Sequence, residues 1–133
     1  MKIKEVMNKG VISVDENTSP SEAFEQMYKN GVRRLFVVDG KGIATGVITH
    51  ANLLTILNQF NENSKENKNK TVMDLMSTNI ITIDAEENIK NAANLMIRAD
   101  VSGLLAIDNK KPVGVITKTD ICRLVAANLL VPK

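Results

Sequence analysis

Apolar positions along the chain fall into two kinds of run: short continuous stretches, and longer stretches with helical spacing. Val11 to Val14 is a short apolar stretch that predicts a strand. Ser19-Pro20-Ser21-Glu22 follows, with serine at an N-cap, proline at the first helical position and glutamate at the third, which is the pattern of a capping box. Ala23, Phe24 and Met27 then recur at helical spacing, and Gly31 stands where a C-terminal glycine belongs. Leu35 to Val38 is too short for a helix and is bounded by Asp39-Gly40, so it predicts a second strand. Ile43 to Thr49 predicts a third. Leu53, Leu54, Ile56, Leu57 and Phe60 make an apolar helical face after it.

The same order returns further along. Strands are predicted at Ile80 to Ile83, Leu104 to Ile107 and Val113 to Thr117, with helices near Ile89 to Arg98 and from Lys118 to about Leu130. Met7, Asp15, Ala23, Met27, Val32, Leu35 and Asp39 recur 69 residues later as Met76, Asp84, Ala92, Met96, Val101, Leu104 and Asp108. One residue is lost in the Lys110-Lys111 turn, and Gly46-Val47-Ile48-Thr49 returns as Gly114-Val115-Ile116-Thr117. Two units are too few for a solenoid, which needs about three. A pseudo-symmetric two-lobed α/β domain is expected: repeat 1 over 1–60, a linker over 61–70, and repeat 2 over 71–133. The linker has no apolar residue and mixed charge, which predicts an exposed tether.

Composition narrows the classes. The net charge of +2 on 133 residues sets no strong field. No apolar run approaches the roughly 18 residues that span a bilayer, and the N-terminus lacks an apolar h-region, so a cytoplasmic protein is expected. The single cysteine, Cys122, is expected as a small core residue on the last helix, and the six methionines as core residues. The terminal helices carry broad apolar faces, with Ile121, Cys122, Leu124, Val125, Leu129 and Leu130 exceeding one narrow stripe. Either a partner or lobe-to-lobe packing accounts for the excess.

The repeated phrase carries the candidate chemistry. Gly-Val-Ile-Thr sets a threonine between a strand and a helix, and Thr117 with Asp120 satisfies the requirements of an N-cap. The same place suits a ligand. Helix-start amides attract phosphate, threonine hydroxyls add hydrogen bonds, and a carboxylate one turn in accepts from two vicinal hydroxyls. The glycine lets a ligand or a neighbouring backbone approach closely. His50 has no second histidine or cysteine pair to complete a metal site, and no nucleophile has a base partner. No metal site and no catalytic residue are expected.

The order strand-helix-strand-strand-helix, Val-x-x-Leu-x-Val-x-Asp over Val32 to Asp39, and Gly-Val-Ile-Thr-x-x-Asp, each written twice or nearly so, resemble the cystathionine-β-synthase (CBS) domain. The chain resembles a tandem CBS pair, or Bateman module, over nearly its whole length. That resemblance implies a pseudo-two-fold α/β (α+β) pair of β-α-β-β-α repeats that regulates a target protein. Its effector would be an adenosine-containing ligand such as AMP, ADP, ATP or S-adenosylmethionine, with no catalytic cofactor and no enzyme activity of its own.

The resemblance also implies two composite clefts. The first joins Thr117, Thr119 and Asp120 to Lys9, Gly10, Ile12 and to Arg33 or Arg34. Asp120 would hold the ribose diol, the threonines ribose or phosphate oxygens, an arginine phosphate, and Ile12 adenine. The second joins Thr49, His50, Ala51 and Asn52 to Thr78, Asn79, Ile81 and Ser102-Gly103. There Asn52 replaces the aspartate and Ser102-Gly103 the arginines, so this cleft is expected to be weaker. The chain departs from the family pattern at Phe36 and Leu105, where proline often follows the leucine. The resemblance further implies a homodimer formed through the terminal helices; the lack of a long apolar run predicts no membrane partner. A nucleic-acid-associated regulator would need a basic face, for which Lys2 to Lys9 and Lys65 to Lys70 are a thin basis. A ligand-free oligomerisation scaffold is the other alternative.

Overall fold

A computed structural model describes residues 1–58 and 69–129. Most of the predicted linker, and the helix-face residues Phe60 and Leu130, lie outside the described residues. The elements are α1 (Ile3–Val6), β1 (Ser13–Asp15), α2 (Pro20–Asn30), β2 (Arg34–Val38), β3 (Ala44–Thr49), α3 (His50–Asn58), α4 (Val72–Leu75), β4 (Thr82–Asp84), α5 (Ile89–Ala99), β5 (Gly103–Asp108), β6 (Lys111–Thr117) and α6 (Lys118–Ala126). Every predicted strand and helix is present within a few residues of its expected span. The short helices α1 and α4, which the pattern reading passes over, are additions to it.

Contacts group the chain into two compact units that cut across the sequence repeats. One unit is Ile12–Ile80; the other is Met1–Val11 with Ile81–Lys133. Each repeat body therefore packs with the short arm that precedes the other body. The physical reason is visible in both cores. Ile3 of α1 is fully buried among Ile89, Met96, Leu104 and Ile116, and Val72 of α4 is fully buried among Met27, Leu35, Ile48 and Leu53.

In the Ile12–Ile80 unit, β2 is the central strand, parallel to β1 and antiparallel to β3. Its continuous apolar run is explained by burial: Leu35, Phe36 and Val37 are all buried. The Ser19 hydroxyl accepts from the Glu22 N–H at 3.1 Å, Pro20 opens α2, and Gly31 closes it at φ 62°. Ala23 and Met27 face the core as expected, whereas Phe24 is 52% exposed. A helix on one side of a three-stranded sheet buries one stripe, and Phe24 lies beside that stripe.

The second unit repeats the arrangement with β4, β5 and β6 in the same order and sense. Asn88 caps α5 by accepting from the Lys90 N–H, and Asp100 takes the left-handed position that Gly31 holds in the other copy. The residue lost between the copies is a shorter hairpin: Asn109 and Lys110 both adopt positive φ between β5 and β6. On α6, Ile121 and Leu124 pack against the core, while Cys122 and Val125 are exposed, as is Leu129 beyond the helix. The sequence expectation for Cys122 is thus corrected. It falls off the two-residue stripe that reaches the sheet.

Each arm bridges one edge strand, β6 or β3, of the sheet it packs on. Asn8 exchanges both backbone hydrogen bonds with Val115 at 2.9 Å, and Ser77 does so with Val47 at 2.9 Å. These bridges occur beside Gly114 and Gly46. A Cβ at Gly46 would lie 2.5 Å from Met76 Sδ and 2.8 Å from the Ser77 carbonyl oxygen. One at Gly114 would overlap Met7 Sδ and lie 3.0 Å from the Asn8 carbonyl oxygen. The repeated glycine admits the arm's methionine and backbone.

Outside the core, Lys4 and Lys2 hold the two Glu86 oxygens at 2.7 and 2.9 Å. Hydrogen bonds from Lys4 and then Lys2 lower the Glu86 carboxyl from 4.5 to about 2.

Two outcomes follow for stability. Gly46→Ala and Gly114→Ala should each cost about 1–3 kcal/mol in denaturant unfolding by overpacking. Gly40→Ala, with nothing within 4 Å of its Cβ, should change stability by less than about 0.5 kcal/mol. Equal effects at all three positions would contradict the arm-docking account. For Glu86, a lowered folded-state pKa means that the pair's contribution is complete above about pH 4.5 and fades as pH falls toward 2. The difference in thermal midpoint between wild type and Glu86→Gln should therefore shrink over that window, and a constant difference would contradict the pairing.

Candidate ligand site

The two strand–helix junctions are built by the same local rule. At the end of β6, the Thr117 N–H and hydroxyl both donate to Asp120 Oδ2 at 2.9 Å, and Thr117 Oγ1 accepts from the Asp120 N–H at 3.2 Å. Thr117 and Asp120 are both half-buried; Thr119 is exposed. The other carboxylate oxygen, Oδ1, has Arg123 Nη1 at 4.0 Å. This is a complete reciprocal cap, as the sequence predicts, and it engages only one of the two carboxylate oxygens.

At the end of β3, the Thr49 N–H and hydroxyl donate to Asn52 Oδ1 at 3.0 and 2.9 Å, and Thr49 Oγ1 accepts from the Asn52 N–H at 3.2 Å. Asn52 thus replaces the aspartate as a cap without loss of a bond. What it lacks is the second acceptor, because the remaining amide atom is an NH2 group.

Each junction lies at one end of its own sheet, beside the starts of the other strands. In the Ile12–Ile80 unit, Arg34 pairs with Thr49, the His50 N–H donates to the Arg33 carbonyl at 3.1 Å, and the Ile12 carbonyl accepts from Phe36. In the other unit, Gly103 pairs with Thr117, the Lys118 N–H donates to the Ser102 carbonyl at 3.0 Å, and the Ile81 carbonyl accepts from Leu105. Within a unit, then, the arginines adjoin the Asn52 junction and Ser102-Gly103 adjoins the Asp120 junction. The pairing implied by the resemblance draws on both units.

The remaining predicted residues sit on the arms or the helix start. Gly10 donates to Asn8 Oδ1 at 2.9 Å, and Asn79 donates to Ser77 Oγ at 3.2 Å. Lys9 lines a groove with Lys4, Met7, Glu86, Asp108 and Val113. Thr78 and Ala51 are exposed.

One feature escapes the sequence reading. The Phe24 ring stacks on His50 with centroids 5.8 Å apart and 24° between planes, and these rings border a groove with Tyr28, Val32 and Arg33. The spacing of Phe24 and Tyr28, four residues apart on α2, is the signal that could have shown an aromatic surface patch. Among the described residues, no group of three or more His, Cys, Asp and Glu is placed to hold a metal ion.

The duplicated cap, the central apolar strand and the element order meet a family model at two places. The model described as CBS domain matches residues 3–59 and again 72–127. The chain belongs to the CBS domain family. Both CBS matches begin at an arm, Ile3 and Val72, which assigns α1 and α4 to the family unit.

Among curated relatives, a CBS domain-containing protein of Dictyostelium discoideum is 29% identical over 92% of this chain and 89% of its own length. The L-aspartate semialdehyde sulfurtransferase of Methanocaldococcus jannaschii is 31% identical over 92% of this chain and 23% of its own length. The chain spans about a third or less of the first curated relatives it matches. Among solved structures, the CBS domain pair of protein MJ0100 was obtained in complex with 5′-methylthioadenosine and S-adenosyl-L-methionine. It matches with a TM-score of 0.73 and 28% identity, over 96% of this chain and 98% of that one. No helix among the described residues is long and apolar enough to cross a membrane.

Proposed function

We propose that this CBS pair is a sensing module that binds an adenosine-containing small molecule at the Thr117–Asp120 junction and acts through binding, without catalysis. The observation that carries the reading is the division of labour on Asp120. One carboxylate oxygen holds the cap, and the other, with Arg123 Nη1 at 4.0 Å, remains an acceptor beside half-buried Thr117 and exposed Thr119. A ribose offers two vicinal donors to such an oxygen, and hydrogen bonds to charged acceptors are the stronger kind. The adenosyl ligands in the MJ0100 CBS pair support the ligand class. Lys9, Gly10 and the further residues assigned by the resemblance stand as its proposed contacts.

The module would transmit binding to a target protein, and a ligand shifts that equilibrium only by its differential affinity for the two states. Self-association through the helices is part of the same proposal. It is supported by the exposed apolar residues Phe24, Tyr28 and Leu54 in one unit and Ile97, Val125 and Leu129 in the other.

Thermal unfolding with AMP, ADP, ATP, S-adenosylmethionine and 5′-methylthioadenosine tests the reading. A ligand at one hundred times its dissociation constant should add about 2.7 kcal/mol. Asp120→Ala also removes a cap, so the quantity compared is each protein's own ligand-induced shift. That shift should largely disappear in Asp120→Ala and change less in Asn52→Ala. No shift with any of the five compounds would overturn the proposal.

A further inference from the structure

The six methionines divide by exposure, against the expectation that all are core residues. Met27 and Met96 are 1% exposed, within the two cores. Met1 and Met73 are 43% and 48% exposed. Met7 and Met76 lie between these extremes: each packs against a core and keeps part of its surface in solvent. They occupy the same place in the two copies, at the C-caps of α1 and α4. Met7 also lines the groove of Lys4, Lys9 and Asp108, which opens it to small solutes.

Both sulfurs fill the notch left by a glycine. Met76 Sδ is 2.5 Å from where a Cβ on Gly46 would stand, and Met7 Sδ takes the matching place on Gly114. The carbonyl oxygens of Ser77 and Asn8 lie beside those places. The amides of Asn8, Val115, Ser77 and Val47 all donate across the bridges that follow. A thioether suits such a notch because it is apolar and asks for no hydrogen bond. A sulfoxide is polar and larger by one oxygen, and that oxygen only accepts hydrogen bonds. In the notch it would meet a carbonyl oxygen and amides already committed, so water is its better partner.

We propose that Met7 and Met76 are paired modification sites, oxidised to sulfoxides by a peroxide, and that the sulfoxides release the two arms from their strands. In the step a sulfur lone pair takes one oxygen of hydrogen peroxide, so the S–O bond forms as the O–O bond breaks. The second oxygen leaves as water with both protons; the sulfur gives up two electrons and the peroxide gains them. A methionine sulfoxide reductase, supplied with a dithiol, reverses the change and lets the arm dock again. Release of an arm withdraws Ile3 or Val72 from the core it completes. The inference stands apart from the ligand reading, since neither sulfur belongs to a strand–helix junction.

Treatment of the full chain with hydrogen peroxide tests the idea, followed by mass mapping of each methionine, amide hydrogen exchange and thermal unfolding. Met7 and Met76 should gain oxygen well before Met27 and Met96. As they do, the protection of the Asn8, Val115, Ser77 and Val47 amides should fall by about tenfold or more. The thermal midpoint should drop by about 4 °C or more, and reductase treatment should restore both readings. The double variant Met7→Leu, Met76→Leu should hold its midpoint under peroxide, whereas Met73→Leu should lose it as wild type does. If the double variant folds poorly, the untreated, oxidised and repaired wild type still decide the matter. Sulfoxides at Met7 and Met76 that leave the four amides protected would overturn the inference. So would oxidation of these two no faster than of Met27 and Met96.

Discussion

In each unit a methionine and a backbone carbonyl from a short arm rest on a glycine within the strand that leads to the junction. The contact at Gly46 leaves 2.8 Å between the Ser77 oxygen and the place a Cβ would occupy, so only glycine admits the arm there. The arm in turn supplies a fully buried side chain, Ile3 or Val72, to the core behind the sheet, and exchanges two backbone hydrogen bonds with the strand edge. Burial of an aliphatic side chain contributes about 1.5–3 kcal/mol, a large share of what a small domain has in reserve. Because each arm precedes one body and packs on the other, neither repeat completes its own core. The tandem is a requirement of packing as well as a product of duplication.

That constraint gives the repeated phrase a division of roles. Its glycine serves the arm, its isoleucine (Ile48 or Ile116) is fully buried in the core, and its threonine leads into the helix that follows. Capping explains why a threonine and an aspartate or asparagine stand three residues apart in both copies. It leaves unexplained why one copy keeps a carboxylate with an oxygen to spare. A cap alone is served equally by asparagine, as Asn52 shows. The atom beyond the cap is where structure leaves room for function, and it differs between the copies.

Much of this was legible in the chain. Helix α2 announces itself through Ser19, Pro20 and Gly31, and the central strands through unbroken apolar runs, because caps and burial act locally. Membership of the family followed from the joint order of motifs, each too weak singly. The arms were harder to read. Ile3 to Met7 and Val72 to Met76 obey the same 69-residue shift as the rest, yet four-residue helices have no periodicity to detect. Their exchange between bodies is a tertiary choice that no local pattern encodes. Cys122 is exposed where its apolar character predicts core, because apolar character alone does not say which side of a helix meets the sheet. The junction residues were found because Thr, Asp and Asn must be close in sequence to cap. Contacts that depend on distant segments carried no such signal.

The claim at the centre is that the Thr117–Asp120 junction is where an adenosine ligand is read. Backbone amide resonances of the uniformly labelled chain, followed during titration with S-adenosylmethionine, address it most directly. The account predicts that the amides of Thr117, Lys118, Thr119 and Asp120 show the largest saturable shifts, because the ligand would contact the groups that form the cap. Saturable shifts confined to other segments, with these four amides unmoved, would contradict it.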